Sequence, residues 1–421
     1  MNIQPYLKLM AEKNASDLFL TTAAPVSIKI EGETRPLSKT PLAPGMVKKI
    51  AYSLLDEDKI REFEQTKEMN TAVSVSKVGR FRINIYQQRG EVSMVVRYIK
   101  VNIPVFETLN LPPVLQDLIM LKNGLILMVG STGSGKSTTL ASMVDHRNAN
   151  KSGHILTVED PIEYVFSHKK SIVGQREVGM DTLSYDNALR EAMREAPDVI
   201  IIGEIRDRKT MEAAITYADT GHLCLSTLHA VNSNQALDRI INLFPTDAKH
   251  QILMDLSLNL RGIISQRLIP GVDGKRKPAV EVMVTTPYVS ELIKKGELGE
   301  IKEIMAKGGA SGMQTFDQSL YELYKDKKVS LEDALNNADS RGNLEWQINF
   351  GGGVKGSDAP DEIDFASPKV AAADVDAEEE EDNTIENASD GVLDDLIADF
   401  SRQQDGDGVE DGSGEGQAKA G

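Results

Sequence analysis

The spacing of apolar positions predicts a small domain of mixed helices and strands over residues 1–100. Alternation with a period of two marks the strands, and apolar residues three or four positions apart mark the helices. The predicted strands are Asp17–Leu20, Val26–Ile30, Met69–Ser76, Arg80–Gln87 and Glu91–Ile99, and the predicted helices are Pro5–Lys13, Pro44–Leu55 and Asp56–Thr66. Lys100–Pro104 follows as a linker, because Pro104 biases the residue before it toward extended geometry.

From about Leu111 the pattern changes to short apolar runs that alternate with helical stretches. The apolar runs are Leu125–Val129, His154–Val158, Val199–Ile202 and Leu223–Leu228, and the helical stretches include Lys136–Arg147, Leu183–Glu195 and Thr210–Asp219. This alternation is typical of a largely parallel α/β sheet. We therefore predict an α/β domain over residues 101–350, mostly helical after residue 246 apart from a hairpin-like pair of strands, Ile263–Ile269 and Ala279–Thr285.

The charge of the chain is concentrated at its carboxyl-terminal end. Of the 64 acidic and 47 basic side chains, residues 351–421 hold 21 and 4, which leaves 43 of each in residues 1–350. We predict that this acidic tail is disordered, because it holds too little apolar surface to offset chain entropy. Within it, the apolar residues of Gly391–Arg402 share one helical face, and both a chance pattern and a partner-binding helix fit that spacing.

Composition also excludes several classes of protein. Cys224, the one cysteine, allows neither an intrachain disulfide nor a four-cysteine zinc site. The chain has no run of about 18 apolar residues and no apolar core of a secretory signal, so we expect a cytoplasmic protein without a transmembrane segment. The neutral balance of residues 1–350 gives no support to nucleic-acid binding, which needs a basic surface.

One segment matches the phosphate-loop pattern G-x-x-x-x-G-K-[ST] without a gap: Gly130-Ser131-Thr132-Gly133-Ser134-Gly135-Lys136-Ser137. An apolar strand precedes this segment and a helix follows it, as phosphate binding requires. The glycines let backbone N–H groups converge on a phosphate, Lys136 reaches the β- and γ-phosphates, and the Ser137 hydroxyl binds Mg²⁺. We therefore predict ATP and Mg²⁺ as ligands, with Thr138 as a further nucleotide contact.

Two groups of acidic residues follow apolar strands of the same predicted sheet. Glu204 ends one apolar run, and Glu159, Asp160 and Glu163 follow another. Because parallel strands end at one edge of a sheet, we expect these acids beside the phosphate loop, where their mutual repulsion requires a neutralising Mg²⁺ or arginine. Glu204 is our candidate for acting on the metal and its water, although an acid that stabilises a helix N-terminus also fits its position.

His222 and His229 bracket the predicted strand Leu223–Leu228 and so lie at its opposite ends or on its opposite faces. His229 falls at the carboxyl edge of the sheet, where a side chain that senses the γ-phosphate would lie. From the spacing alone, a purely structural role fits each histidine equally well.

A pair of arginines is predicted on adjacent strands of the first domain. Along Arg80–Gln87 the apolar residues face one side of the strand, and Arg82 faces the other. If Arg89-Gly90 forms a two-residue hairpin turn, Arg82 lies directly opposite Arg97. Like charges in that position destabilise a sheet, so either an anion from elsewhere neutralises the pair or the two side chains splay into solvent.

Four segments in order, the phosphate loop, TVEDPIE, DVIIIGEIRD and TGHLCLSTLHA, resemble the Walker A, Asp, Walker B and His boxes of the secretion-type hexameric ATPases. ASDLFL, PVSIKIEG and GRFRINIYQQRG are similar to the amino-terminal domain of the PilT group, the type IV pilus retraction ATPases. The resemblance covers residues 1 to about 345. It implies a RecA-like P-loop ATPase core preceded by a smaller, PAS-like α+β domain.

Two departures from the PilT pattern resemble the PilU subgroup, which cooperates with PilT in retraction. Where PilT carries an AIRNLI-like helical motif this chain reads Val289–Lys295, and the acidic tail is extra. We do not expect the longer amino-terminal extension or the four-cysteine motif of assembly and type II secretion ATPases, because the sequence shows neither. The resemblance implies a homo-hexameric motor for pilus retraction and twitching motility, located at the cytoplasmic side of the inner-membrane pilus base. A PilT-like ATPase and the inner-membrane platform protein are the implied partners.

By the same resemblance, Glu163 is the general base for the attacking water, and Glu204 is the Walker B acid that acts on Mg²⁺ together with Ser137. Arg82 and Arg97 are implied to be arginine fingers that reach the ATP of a neighbouring subunit. Two other functions stay open at this point. One is an ATP-binding accessory subunit that modulates PilT without motor activity, and the other is a DNA-translocating motor, which the neutral charge of residues 1–350 disfavours.

Overall fold

The computed structural model describes residues 3–30, 32–76, 78–99, 102–307 and 311–350. The acidic tail and the amphipathic segment Gly391–Arg402 lie outside the described residues. Contacts divide the described residues into two compact units that interleave along the sequence, residues 3–68 with 85–96, and residues 69–84 with 97–350. The domain division near residue 100 stays a prediction.

Six strands form the first sheet, in the order β3-β2-β1-β6-β5-β4. They are β1 (Asp17–Leu20), β2 (Ser27–Ile30), β3 (Glu33–Pro36), β4 (Glu68–Val75), β5 (Gly79–Gln88) and β6 (Glu91–Ile99), with helices α1 (Gln4–Glu12), α2 (Met46–Tyr52) and α3 (Glu57–Thr66). The spacing predicts all of these elements except β3. That edge strand is exposed at every position, so it shows no alternation of buried and exposed residues.

The hairpin between β5 and β6 turns at Arg89 and Gly90, as the sequence predicts. Both residues have positive φ angles, 51° and 82°, which a two-residue type I′ turn requires. The alternation along β5 is also present, because Phe81, Ile83 and Ile85 are buried while Arg82 is only partly so. The direct pairing of Arg82 with Arg97 stays a prediction.

Seven strands form the second sheet, in the order β13-β12-β7-β11-β10-β8-β9. They are β7 (Gly124–Val129), β8 (Gly153–Glu159), β9 (Ser171–Glu177), β10 (Val199–Ile202), β11 (Leu223–Leu228), β12 (Leu260–Pro270) and β13 (Arg276–Val284). Neighbouring strands are parallel, except that β13 is antiparallel to β12, so the largely parallel sheet is confirmed. The sequence pattern does not predict β9, because Gly174, Gln175 and Arg176 interrupt its apolar positions. It predicts the other strands of this sheet.

Helices cover both faces of the second sheet. They are α4 (Val114–Met120), α5 (Lys136–Asn150), α6 (Tyr185–Ala192), α7 (Arg208–Asp219), α8 (Ser233–Asn242), α9 (Lys249–Asn259), α10 (Pro287–Lys295), α11 (Ile301–Lys307), α12 (Phe316–Lys325), α13 (Leu331–Asn336) and α14 (Arg341–Phe350). Leu125 and Leu127 of β7 pack in one cluster with α6–α10 and with Cys224 of β11. Ile126 and Met128 pack in another cluster with α4 and α5. Across the described residues, no helix has both the length and the apolar character needed to cross a bilayer.

A buried carboxylate links the β12–β13 hairpin to the helix that follows β11. Glu281 of β13 is 2% exposed. Its Oε1 accepts hydrogen bonds from the backbone N and the Oγ of Ser233, both at 2.7 Å, and from the Oγ of Ser265 at 2.9 Å. Burial raises the pKa of Glu281, and the hydrogen bonds oppose that rise. Because Ser233 begins α8, Glu281 anchors the chain just beyond the carboxyl end of β11.

We expect Glu281→Ala to lower the free energy of unfolding by about 1–3 kcal/mol, because it leaves buried donors without an acceptor. Glu281→Gln keeps an oxygen at the Oε1 position, where all three bonds converge, and should lower it less. Urea denaturation of both variants measures the difference. Equal losses would contradict a hydrogen-bonding role for this side chain.

Candidate active site around the phosphate loop

The predicted phosphate loop joins β7 to α5, and two of its glycines are required by the backbone path. Gly130 has a φ of +150°, and a Cβ there would lie 2.6 Å from the carbonyl oxygen of Gln266. Gly135 has a φ of +87°, and its Cβ would lie 2.7 Å from Nε2 of Gln266. The loop ends at the N-terminus of α5, where unpaired backbone N–H groups attract anions.

Gln266 of β12 holds the loop against the sheet. Its Oε1 accepts a hydrogen bond from the Thr139 hydroxyl at 2.7 Å, and its Nε2 donates to the carbonyl oxygen of Ser134 at 2.9 Å. The side chain is 3% exposed, so both of these bonds are shielded from water. Sequence reasoning missed this residue, because no local pattern links it to a loop more than a hundred positions earlier.

Lys136 lies at the start of α5 and is nearly buried. Its Nζ donates hydrogen bonds to the carbonyl oxygens of Gly130 at 2.7 Å and Ser131 at 2.9 Å. Burial lowers the pKa of Lys136, and the carboxylates of Glu204 and Glu163 partly offset that fall. The ammonium group is thus held inside the loop, at the place where a bound phosphate would take its charge.

A cavity of about 320 Å³ opens beside the loop at the carboxyl edge of the sheet. The predicted side chains that line it include Lys136, Glu163, Glu204 and His229. Ser137 lines it as well. These residues come from α5 and from the segments after β8, β10 and β11, so the parallel strand order brings them together. Glu163 is exposed to this cavity, and its carboxylate is open to a ligand or to water.

The Glu204 carboxylate contacts a histidine through one oxygen and an arginine through the other. Oε1 lies 3.1 Å from Nε2 of His229, and Oε2 accepts a hydrogen bond from Nε of Arg206 at 2.9 Å. Arg206 also reaches the Asp160 carboxylate, with Nη1 3.4 Å from Oδ2. The sequence leaves either Mg²⁺ or an arginine to neutralise these acids, and Arg206 is an arginine that contacts two of them. Sequence reasoning did not single it out, although it lies two positions after Glu204.

Glu159 is another carboxylate of the cavity wall, but its bonds turn it toward the protein. Its Oε1 accepts hydrogen bonds from the Thr157 hydroxyl at 2.6 Å and from Nε2 of Gln175 at 3.1 Å. Burial raises the pKa of Glu159 above its usual range, and these bonds limit the rise. Among the described residues, no such hydrogen bond is made to the Glu163 carboxylate. Glu163 is therefore better placed than Glu159 to accept a proton from a ligand or water.

The residues of the phosphate loop differ in which cavity they line. Gly130, Ser131, Thr132, Gly133 and Ser134 line a second cavity of about 340 Å³ on the β12 side, and Thr132 and Gly133 also line the first. Gly135 and Thr138 line neither cavity. The Thr138 hydroxyl lies 2.8 Å from the hydroxyl of Tyr164, a residue of the first cavity wall, and its predicted contact with the nucleotide stays a prediction.

The two histidines of the His-box segment have different surroundings. Nδ1 of His222 lies 3.1 Å from the Thr220 hydroxyl and 3.3 Å from the carbonyl oxygen of Tyr217, at the amino end of β11. His229 lies at the carboxyl end and contacts Glu204. The structure therefore places His229 in the cavity and His222 away from it.

Arg82 and Arg97 are the predicted residues that the structure does not bring to this cavity. They lie on β5 and β6, and neither lines either of the two cavities beside the loop. Among the described residues, Lys136 and Arg206 are the lysine and arginine that line the first cavity, and Arg267 and Arg276 line the second.

A family model described as "Type II/IV secretion system protein" matches residues 2–334. The type IV pilus ATPase PilU of Pseudomonas aeruginosa is 49% identical over 352 residues, which cover 83% of this chain and 92% of that protein. The type IV pilus retraction ATPase PilT of the same organism is 38% identical over 338 residues, 80% of this chain and 98% of PilT.

A crystal structure of the pilus retraction motor PilT with bound ADP has the same fold. It superposes with a TM-score of 0.76 at 43% sequence identity, over 82% of this chain and 99% of that one. The DotB ATPase of Yersinia pseudotuberculosis aligns less closely, with a TM-score of 0.64 at 27% identity. The chain therefore belongs to the type II/IV secretion system protein family and is an ATP hydrolase of the PilT/PilU type.

Proposed function

We propose that this chain forms a hexameric motor that hydrolyses ATP to drive type IV pilus retraction, as a PilU-type partner of a PilT-like ATPase. It would act at the cytoplasmic face of the inner membrane, on the platform protein of the pilus base. The cavity in which the phosphate loop faces Glu163, Glu204 and His229 supports this proposal most directly. The 49% identity to the PilU of P. aeruginosa supports the choice of subgroup.

In this proposal each side chain of the cavity has one task. Lys136 binds the β- and γ-phosphates, and because it is 9% exposed its attraction to them is little screened by water. Glu163 takes the proton of the attacking water as general base. His229 contacts the γ-phosphate and also lies 3.1 Å from Glu204, the Walker B carboxylate. Loss of the γ-phosphate would therefore change the surroundings of Glu204 through His229.

Mg²⁺ fits the oxygen donors of this cavity. It usually takes one or two carboxylate or hydroxyl ligands from the protein and completes its shell with phosphate oxygens and water. The hydroxyl of Ser137 and the carboxylate of Glu204 would be those ligands. When bound, the ion supplies positive charge that stabilises the transferring phosphoryl group.

Arg82 and Arg97 complete the site in this proposal from a neighbouring subunit. Neither lines a cavity beside its own phosphate loop, so a role in phosphoryl transfer requires the loop of another chain. Arginines supplied in this way stabilise the charge of the transition state and raise rates by about 10³–10⁵.

We expect Lys136→Ala to abolish ATP turnover, because the β- and γ-phosphates lose the cation inside the loop. The matched control is Lys151→Ala, which removes a lysine at the other end of α5 and should leave turnover unchanged. A phosphate-release assay measures both. Wild-type turnover by the Lys136 variant would remove the phosphate-loop assignment.

Glu163→Gln and Glu204→Gln should each bind ATP with near wild-type affinity and hydrolyse it about 10²-fold more slowly or worse, because each loses a group that acts on the attacking water. Glu191→Gln, an exposed residue of α6, is the control for loss of a surface carboxylate. Binding is measured with a fluorescent ATP analogue and hydrolysis by phosphate release. Loss of binding in either variant would mean that the residue is structural.

Mixing two inactive proteins, Lys136→Ala and Arg82→Ala, should restore part of the activity. A mixed ring contains interfaces that pair an intact loop with intact arginines, and only these can hydrolyse ATP. Arg35→Ala, which removes an exposed arginine of the same sheet, should be active alone. The assay includes a PilT-like partner, and native mass spectrometry verifies mixing. Mixed rings without any activity would rule out arginines that act across the interface.

A further inference from the structure

Arg206 lies between two carboxylates that follow neighbouring strands of the second sheet. Glu204 follows β10 and Asp160 follows β8, and these strands pair in parallel, with Ile202 opposite Val158. One guanidinium group reaches both acids, at 2.9 Å from Glu204 and 3.4 Å from Asp160. It therefore joins the two acidic segments at the edge of the sheet where the phosphate loop lies.

The bond from Arg206 changes how many orientations Glu204 can adopt. The terminal torsion of a glutamate is broad, so a carboxylate that is held by one oxygen can still rotate. Nε of Arg206 donates a hydrogen bond to Oε2 at 2.9 Å, and Nε2 of His229 lies 3.1 Å from Oε1. Because Arg206 fixes one oxygen while His229 lies against the other, rotation of the carboxylate is restricted.

We propose that Arg206 is a positioning residue for ATP hydrolysis, which holds the Glu204 carboxylate in one orientation toward the phosphate loop and prevents its repulsion from Asp160. This inference rests on the proposed role of Glu204 in hydrolysis. The side chain of Arg206 is 56% exposed, and ion pairs as exposed as this contribute little to folding stability. Its effect should therefore appear in the rate of the chemical step and not in the stability of the fold.

Arg206→Gln keeps most of the side-chain stem and removes the charge. We expect it to lower kcat by about 10- to 100-fold, as small displacements of reacting groups do, with ATP affinity and thermal midpoint unchanged. Arg206→Lys restores the charge without the planar fork and should give an intermediate kcat.

Arg208→Gln is the matched control. Arg208 lies two positions further on, is 49% exposed and pairs with Glu212 at 2.6 Å, but it does not line the cavity. We expect it to keep the wild-type kcat. Equal kcat values in the two glutamine variants would overturn the inference, and so would a loss that appears in ATP affinity instead of kcat.

A crystal structure of Arg206→Gln gives a readout that does not depend on activity. We expect Glu204 to leave its present orientation or to occupy more than one. An unchanged Glu204 would overturn the positioning role, even if the protein proves inactive without a partner. Failure of the proposed function looks different, because the wild-type protein would then add no ATP hydrolysis to that of the PilT-like partner.

Discussion

Parallel pairing of β12, β7, β11, β10, β8 and β9 is the constraint on which the site depends. Parallel strands end at a common edge, so segments that are distant in the sequence follow one another side by side in space. Val129, the last residue before the phosphate loop, pairs with Leu228, the last residue before His229. The sheet is buried on both faces, and β7 and β10 are buried at every position, which keeps this edge fixed.

The charged side chains at this edge are close enough to influence one another. Burial lowers the pKa of Lys136, while Glu204 and Glu163 favour its charged form. The hydrogen bond to Glu204 raises the pKa of Arg206, which stays charged among the acids. Replacing any one of these groups therefore changes the electrostatic environment of the others. The effects of single mutations here should not be additive, so double mutants have to be measured directly.

Most helices and strands could be predicted because each shows a characteristic spacing of apolar residues in the local sequence. Alternation predicts β5, and continuous apolar runs predict β7 and β10, but the exposed edge strand β3 and the polar edge strand β9 carry no such signal. The motif residues of the site could be predicted from their order along the chain. Gln266 and the bonding of Arg206 could not, since spacing does not say which polar side chain a loop will meet across the sheet.

The burial of Cys224 has a practical consequence for measuring conformational changes with site-specific labels. Its side chain is 0% exposed, and burial raises the pKa of its thiol far above neutral pH, so almost no reactive thiolate forms. Maleimide dyes and spin labels would therefore attach to cysteines introduced on the surface and leave the native one untouched. Distances between labelled pairs could then be followed through a nucleotide cycle in a chain that keeps its own β11 core.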